Sequence, residues 1–311
     1  MPSFVQFLQR SGVYAEQSFM IVPRGGFNLV CLRDSKDVRL SYDRGRLEVD
    51  DVRLEDIEPV AQEYINIRYG KQKSQERDDQ LLRLRTALFG NARPEGLARG
   101  LKVTAKGVGI PELKAMRGNI GIRLEVAILP RKVFTIAFRF LKHLDRSGNV
   151  INATKWTPDD VPWFLTRLNW TFAAQANIFF TLADATWFTV QKALGPKISR
   201  DAFRKDIVPH KKRGADLTCF LVGDYDATAT EAAGEYLPDE QVFVVVDQGN
   251  PSVFDYGEAF IGAMAHEVGH FLHHERNLPG SGHHDRNGIL LSSGMESLSL
   301  DKQLVSNFNA W

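Results

Sequence analysis

His266, Glu267 and His270 form the sequence His-Glu-Val-Gly-His at the end of an apolar run that begins near Ala259. If that run is helical, the two histidines are four residues apart and project from one face. Two imidazoles so placed can share a single tetrahedral Zn²⁺. Glu267, beside them and not itself a ligand, can then take a proton from water activated by the metal. This is the chemistry of a zinc hydrolase, and the further questions are what completes the site and what holds it.

Three protein ligands leave the fourth zinc position open to water, so a third residue is required. Six of the eight histidines lie between positions 266 and 284: His266, His270, His273, His274, His283 and His284. His273 would face the same side of a continuing helix, but three ligands on one straight helix do not close a tetrahedron without distortion. His274 points away. Pro279, Gly280 and Gly282 break the helix, and a chain that reverses there can return His283 or His284 to the metal. Both are kept as candidates. Glu296 is a carboxylate alternative, and Asp285 could orient a neighbouring imidazole.

The helix must start near Asp255, whose spacing to Glu258 suits a capping box. Ala259, Phe260, Ala263, Met264, Val268 and Phe271 give it a core-facing side. Upstream, residues 133–140 read as a strand, and Thr157, Pro158 and Asp160 signal a helix start. That helix turns Phe164, Leu165, Leu168 and Phe172 inward and is followed by strands at 178–182, 217–222 and 242–247. The order strand, helix, three strands, helix predicts an α/β layer. Trp163, Trp170 and Trp187 read as core residues.

Residues 131–311 resemble a metzincin, the zinc-peptidase clan whose His-Glu-x-x-His helix ends at a glycine and is followed by a third histidine and a methionine turn. Residues 169–182 resemble that family's first helix and second strand, residues 242–247 its substrate-receiving edge strand, and Ser292-Ser-Gly-Met295 its methionine turn. The segment 299–308 would be the closing helix. The resemblance implies a zinc metalloendopeptidase: Zn²⁺ on His266, His270 and His283 or His284, Glu267 as general base, Met295 as structural support, and a protein or peptide substrate lying along residues 242–247. One departure is specific. The family's compact spacing requires glycine at position 273 and histidine at position 276, where this chain has His273 and Arg276. An inserted loop restores the pattern at Gly280-Ser-Gly-His283 or at His284-Asp285. The five apolar residues from Val242 also suit a strand buried on both faces, so the edge assignment stays open.

Residues 1–130 carry short alternating runs at 27–32, 38–42, 46–49 and 101–105, and an alternation at Ile120, Ile122, Leu124, Val126 and Ile128. Strands separated by Gly-rich turns predict a β-sandwich. The stretch from Val103 through Glu112-Leu-Lys-Ala115 to that alternation resembles bacterial immunoglobulin-like domains, which implies a partner-binding role. A charged segment near 71–90 reads as an insertion. The expected fold is α+β and multi-domain, an Ig-like sandwich over 1–130 followed by a metzincin-like catalytic domain over 131–311.

Composition narrows the partners. The 39 basic and 38 acidic residues nearly cancel, giving no basic surplus for nucleic acid. No apolar run is long enough to span a membrane. The start of the chain lacks a basic region followed by a long apolar core, so a cytoplasmic protein is expected, or one exported without a cleaved signal, such as a delivered effector or toxin. Cys31 and Cys219 each sit in an apolar run and read as buried thiols. The reading from a different class is a binding or adhesion protein whose peptidase-like half is degenerate, which the missing compact spacing favours.

Overall fold

The computed structural model describes residues 2–7, 14–16, 18–52, 99–192, 194–226, 234–247 and 256–274. The protein is mixed α+β and multi-domain, built mostly of strands with few helices. It divides into two compact units, residues 1–132 with 172–177 and residues 133–171 with 178–311. The charged segment expected at 71–90 lies outside the described residues.

The first unit contains β1 (Ser3–Phe7), β2 (Tyr14–Glu16), β3 (Phe19–Pro23), β4 (Phe27–Arg33), β5 (Arg39–Tyr42), β6 (Leu47–Asp51), β7 (Arg99–Ala105), β8 (Glu112–Arg117) and β9 (Ile120–Leu129). They form two sheets, ordered β2-β1-β4-β7-β6 and β3-β9-β8-β5. All neighbours are antiparallel except β3 and β9. Alternation explains the packing. Leu101, Val103 and Ala105 of β7, Leu113 and Ala115 of β8, and Leu124, Val126 and Ile128 of β9 point into one core shared by the two sheets. Each of the Leu, Val and Ile side chains among them contributes about 1.5–3 kcal/mol when fully buried. The alternation fades toward the start of β9, where Ile122 is half-buried and Ile120 is exposed. Asn28 is buried in β4 because its amide donates to the Ile21 carbonyl at 2.8 Å while its side-chain oxygen accepts from the Leu29 N–H.

The second unit is organised by one six-stranded sheet. It contains β10 (Lys132–Leu144) from Val133 on, β11 (Val150–Ala153), α1 (Val161–Ala176) up to Thr171, β12 (Ile178–Gln191), β13 (Ile198–Ser199), β14 (Leu217–Val222), β15 (Tyr225–Asp226), β16 (Gly234–Leu237), β17 (Val242–Val246) and α2 (Tyr256–His274). The sheet order is β11-β10-β14-β17-β16, with β12 also paired to β10. Strands β10, β14 and β17 are parallel, and β16 runs antiparallel to β17. Every residue of β14 and β17 is buried, as strands covered on both faces require.

The start of α1 follows the local chemistry. Thr157 and Asp160 form a capping box around a 3₁₀ turn, with the Thr157 N–H donating to the Asp160 carboxylate at 2.8 Å, and α1 continues from Val161. Phe164, Leu168 and Phe172 recur every four residues and are fully buried, whereas Leu165 is half-buried. Asn177 adopts a left-handed conformation (φ 54°) just past Ala176, where a helix commonly stops.

Of the two readings left open for residues 242–247, the sheet bears out burial on both faces: β17 pairs with β14 on one side and β16 on the other, so among the described residues the edge beside it is β16. One expected bound is corrected. Strand β12 runs on well beyond residue 182, to Gln191. Both thiols are free and buried. Burial pushes Cys31 up to about 11 and holds Cys219 well above the ordinary thiol value.

Candidate metal centre

Helix α2 packs on β16 and β17. Phe260, Met264, Val268 and Phe271 are buried along it, and Ala263 is half-buried. The Phe271 ring meets Phe134 edge-on at 5.5 Å, and Phe260 meets Phe164 at 5.5 Å, so aromatic contacts to β10 and α1 set the rotation of the helix. Asp255, the expected cap, lies outside the described residues.

That rotation leaves His266 and His270 half-buried on one face, with their Nε2 atoms 2.9 Å apart and their rings nearly perpendicular. Two imidazole ligands at about 2.0–2.1 Å from a tetrahedral zinc would have nitrogens about 3.3 Å apart. A slight opening of the pair therefore suits a shared divalent cation. The donor type fits as well, because neutral imidazole is a good ligand for zinc.

Glu267 follows His266 in sequence but has a different environment. It is 5 % exposed and accepts a hydrogen bond from the backbone N–H of Tyr236 on the edge strand. Burial, reinforced by the negative charge of Glu235, pushes its carboxyl up to about 8, against the opposing pull of the Tyr236 N–H. A nearby dication would favour the carboxylate instead. The group is therefore dry, anchored at one point and able to hold or release a proton near neutrality.

Strand β16 is the element that the sequence reading lacked. Its register places Gly234 opposite Val245 and Glu235 opposite Val244. Val244 and Leu237 belong to the core on the sheet face away from α2, together with Phe203, Ile207 and Tyr225. Glu235 shares that face. Its two carboxylate oxygens accept from the Tyr225 hydroxyl at 2.6 Å and pair with Arg200 at 2.8 Å. Gly234 and Tyr236 lie on the α2 side, and the Tyr236 ring approaches Phe271 at 6.3 Å. Four residues of mixed type give little strand signal, and only the glycine hinted at a close approach.

The remaining expected site residues, His283, His284, Asp285, Met295 and Glu296, lie outside the described residues, and so do the side chains of His273 and His274. Among the described residues no group of three or more His, Cys, Asp or Glu side chains is placed to hold a metal. His266, His270 and Glu267 are the part of the expected site that the structure brings together. No protein-family model matches the chain, and no curated protein sequence matches it.

Proposed function

We propose that the protein is a zinc-dependent metalloendopeptidase, with the second unit as a metzincin-like catalytic domain and the first as an Ig-like sandwich. The observation that carries this reading is the pair of converging imidazoles on α2 beside a buried glutamate that is hydrogen-bonded to an antiparallel edge strand. His266, His270 and a third residue, His283 or His284, would hold Zn²⁺, which when bound supplies Lewis-acid activation of water and of the scissile carbonyl.

The protein's own groups do the rest. Glu267 accepts the proton of the attacking water and returns it to the departing amine nitrogen, so the proton stays within the site through both halves of the reaction. The apolar wall around Glu267 excludes bulk water and strengthens each charge interaction. The substrate lies extended along β16, whose outer side has no strand partner among the described residues, and pairs with it through backbone hydrogen bonds.

The test is turnover of an unfolded protein by the purified full chain, with zinc content measured on the same sample. Wild type should hold one zinc and cleave. Glu267→Ala should keep the zinc and lose about 10²-fold or more in kcat. Undiminished cleavage by Glu267→Ala would sink the reading.

A further inference from the structure

We infer that Gly234 is a positioning residue: the space left by its missing side chain is the seat of the Glu267 carboxyl group, and glycine there lets the carboxyl reach the Tyr236 N–H. A Cβ built at position 234 would lie 3.0 Å from Glu267 Oε1, 3.0 Å from Glu267 Cγ and 2.8 Å from the Val244 carbonyl oxygen. Real Cβ atoms essentially never approach within 3.0 Å, so the 2.8 Å contact with the Val244 carbonyl would strain the strand pairing, and the two 3.0 Å contacts would make the Glu267 side chain give as well.

The two backbone neighbours have little freedom. Gly234 is held in register against Val245, and Val244 lies inside a fully buried strand paired on both sides. The glutamate side chain is the component that can rotate. To do so it must give up the Tyr236 N–H of the edge strand. Gly234 is not in a left-handed conformation. Its role is close approach rather than backbone freedom. The proximity also has a directional consequence. Because α2 carries both Glu267 and the histidine pair, the glycine fixes how near the carboxyl group lies to the edge strand while the imidazoles of His266, its neighbour in sequence, and His270 converge on the same helix.

The inference rests on the proposed role of Glu267 as proton acceptor, but its first readout does not. In the metal-free full chain, amide hydrogen exchange at Tyr236 reports the carboxyl seat directly. Tyr236 should be protected in wild type. Its exchange should accelerate about tenfold or more in both Gly234→Ala and Glu267→Ala, the loss expected when a hydrogen bond to an acidic group is removed. Protection across β17 should be unchanged in Glu267→Ala. In the double variant Gly234→Ala/Glu267→Ala the two effects should be less than additive, because the contact with the carboxyl group is shared while the one with the Val244 carbonyl is not.

Equal Tyr236 exchange in wild type and Glu267→Ala would overturn the proposal, as would fully additive effects in the double variant. If Gly234→Ala does not fold, recovery of folding in the double variant supports the seat; if the double variant also fails, the Val244 contact that it keeps accounts for that, and the comparison of wild type with Glu267→Ala at Tyr236 decides, equal exchange overturning the seat. On zinc-loaded protein, Gly234→Ala should lower kcat about tenfold or more while KM and zinc stoichiometry hold, as for loss of an interaction made in the transition state. A wild-type protein without zinc or turnover that still shows the Tyr236 pattern would sink the peptidase reading and leave the carboxyl seat standing.

Discussion

The Tyr225 hydroxyl donates to the Glu235 carboxylate at 2.6 Å on the sheet face away from α2, and Arg200 completes that carboxylate at 2.8 Å. Strand β16 therefore has a carboxyl group on each face. Glu235 has a cation and a hydroxyl, whereas Glu267 is buried with the Tyr236 N–H. The partnering of Glu235 keeps its negative charge in place behind Glu267.

Removing the hydroxyl should register in stability. Tyr225→Phe loses a hydrogen bond to a charged group, and the expected destabilisation at neutral pH is about 2 kcal/mol, measured by urea unfolding. Burial, then the Glu235 contact, holds the Tyr225 hydroxyl proton well above its ordinary range. A tyrosine in the unfolded chain ionises near about 10. The contribution of Tyr225 is therefore complete below that pH and is lost as pH rises above it. Wild type should lose stability more steeply than Tyr225→Phe in the alkaline limb, and parallel limbs would refute the assignment.

Asp34 and Arg117 give a prediction of opposite sign in the first unit. Arg117 donates to both Asp34 carboxylate oxygens and to the Asp34 and Lys36 carbonyls, tying the end of β8 to the turn after β4. That guanidinium draws the Asp34 carboxyl down to about 2. The folded value lies below the unfolded one, so the contribution is present above the usual carboxylate range and disappears as pH falls toward 2. A carboxyl carbon titration followed by NMR should place Asp34 near 2 in wild type and clearly higher in Arg117→Ala.

The metal site makes a prediction separate from catalysis. His266→Ala and His270→Ala should each weaken zinc binding about 100-fold or more, beyond what loss of an outer hydrogen bond costs. Among His283→Ala, His284→Ala and Glu296→Ala, one variant should match them in a zinc-chelator competition assay, and that variant names the third ligand. Unchanged affinity in both His266→Ala and His270→Ala would remove zinc from the α2 pair.

The sequence carried the parts of this site that follow from local periodicity. His266 and His270 share a face because of helical spacing, and the apolar positions Phe260, Met264, Val268 and Phe271 oriented that face correctly against the sheet. Residues 217–222 and 242–246 were legible as strands because continuous apolar runs are what two-sided burial selects. The same runs could not say which strand stands at the edge, because that depends on pairing over longer range. Gly234-Glu-Tyr-Leu237 is short and carries no alternation of its own, so the strand that holds Glu267 was invisible until its register with β17 was known. The Glu235–Tyr225–Arg200 group was hidden for the same reason, its members being brought together from β16, β15 and the segment just before residue 202.

Arg139 shows how a charged residue can be part of the core of the second unit, and it supplies the last prediction. It is 7 % exposed on β10, between the buried Phe138 and Phe140. Its guanidinium donates to the His210 carbonyl at 3.0 Å, to the Thr186 hydroxyl at 2.7 Å and to Asp184 at 2.9 Å, joining β10, β12 and the helical segment 200–210. Burial pushes the Asp184 carboxyl upward, and Arg139 with Lys212 more than reverses this, leaving it below the usual value. Truncation to Arg139→Ala strands the carbonyl and the carboxylate together, and breaking a buried pair in this way costs about 3–5 kcal/mol. Asp184 keeps some solvent contact and the Lys212 ammonium at 3.7 Å, so the lower end of that range applies. A second substitution separates the charge penalty from lost packing. If the carboxylate is the main liability, Arg139→Ala/Asp184→Asn should be less destabilised than the sum of the single variants, as measured by a double-mutant cycle in urea. Strict additivity would mean that Arg139 acts through its carbonyl and hydroxyl contacts alone.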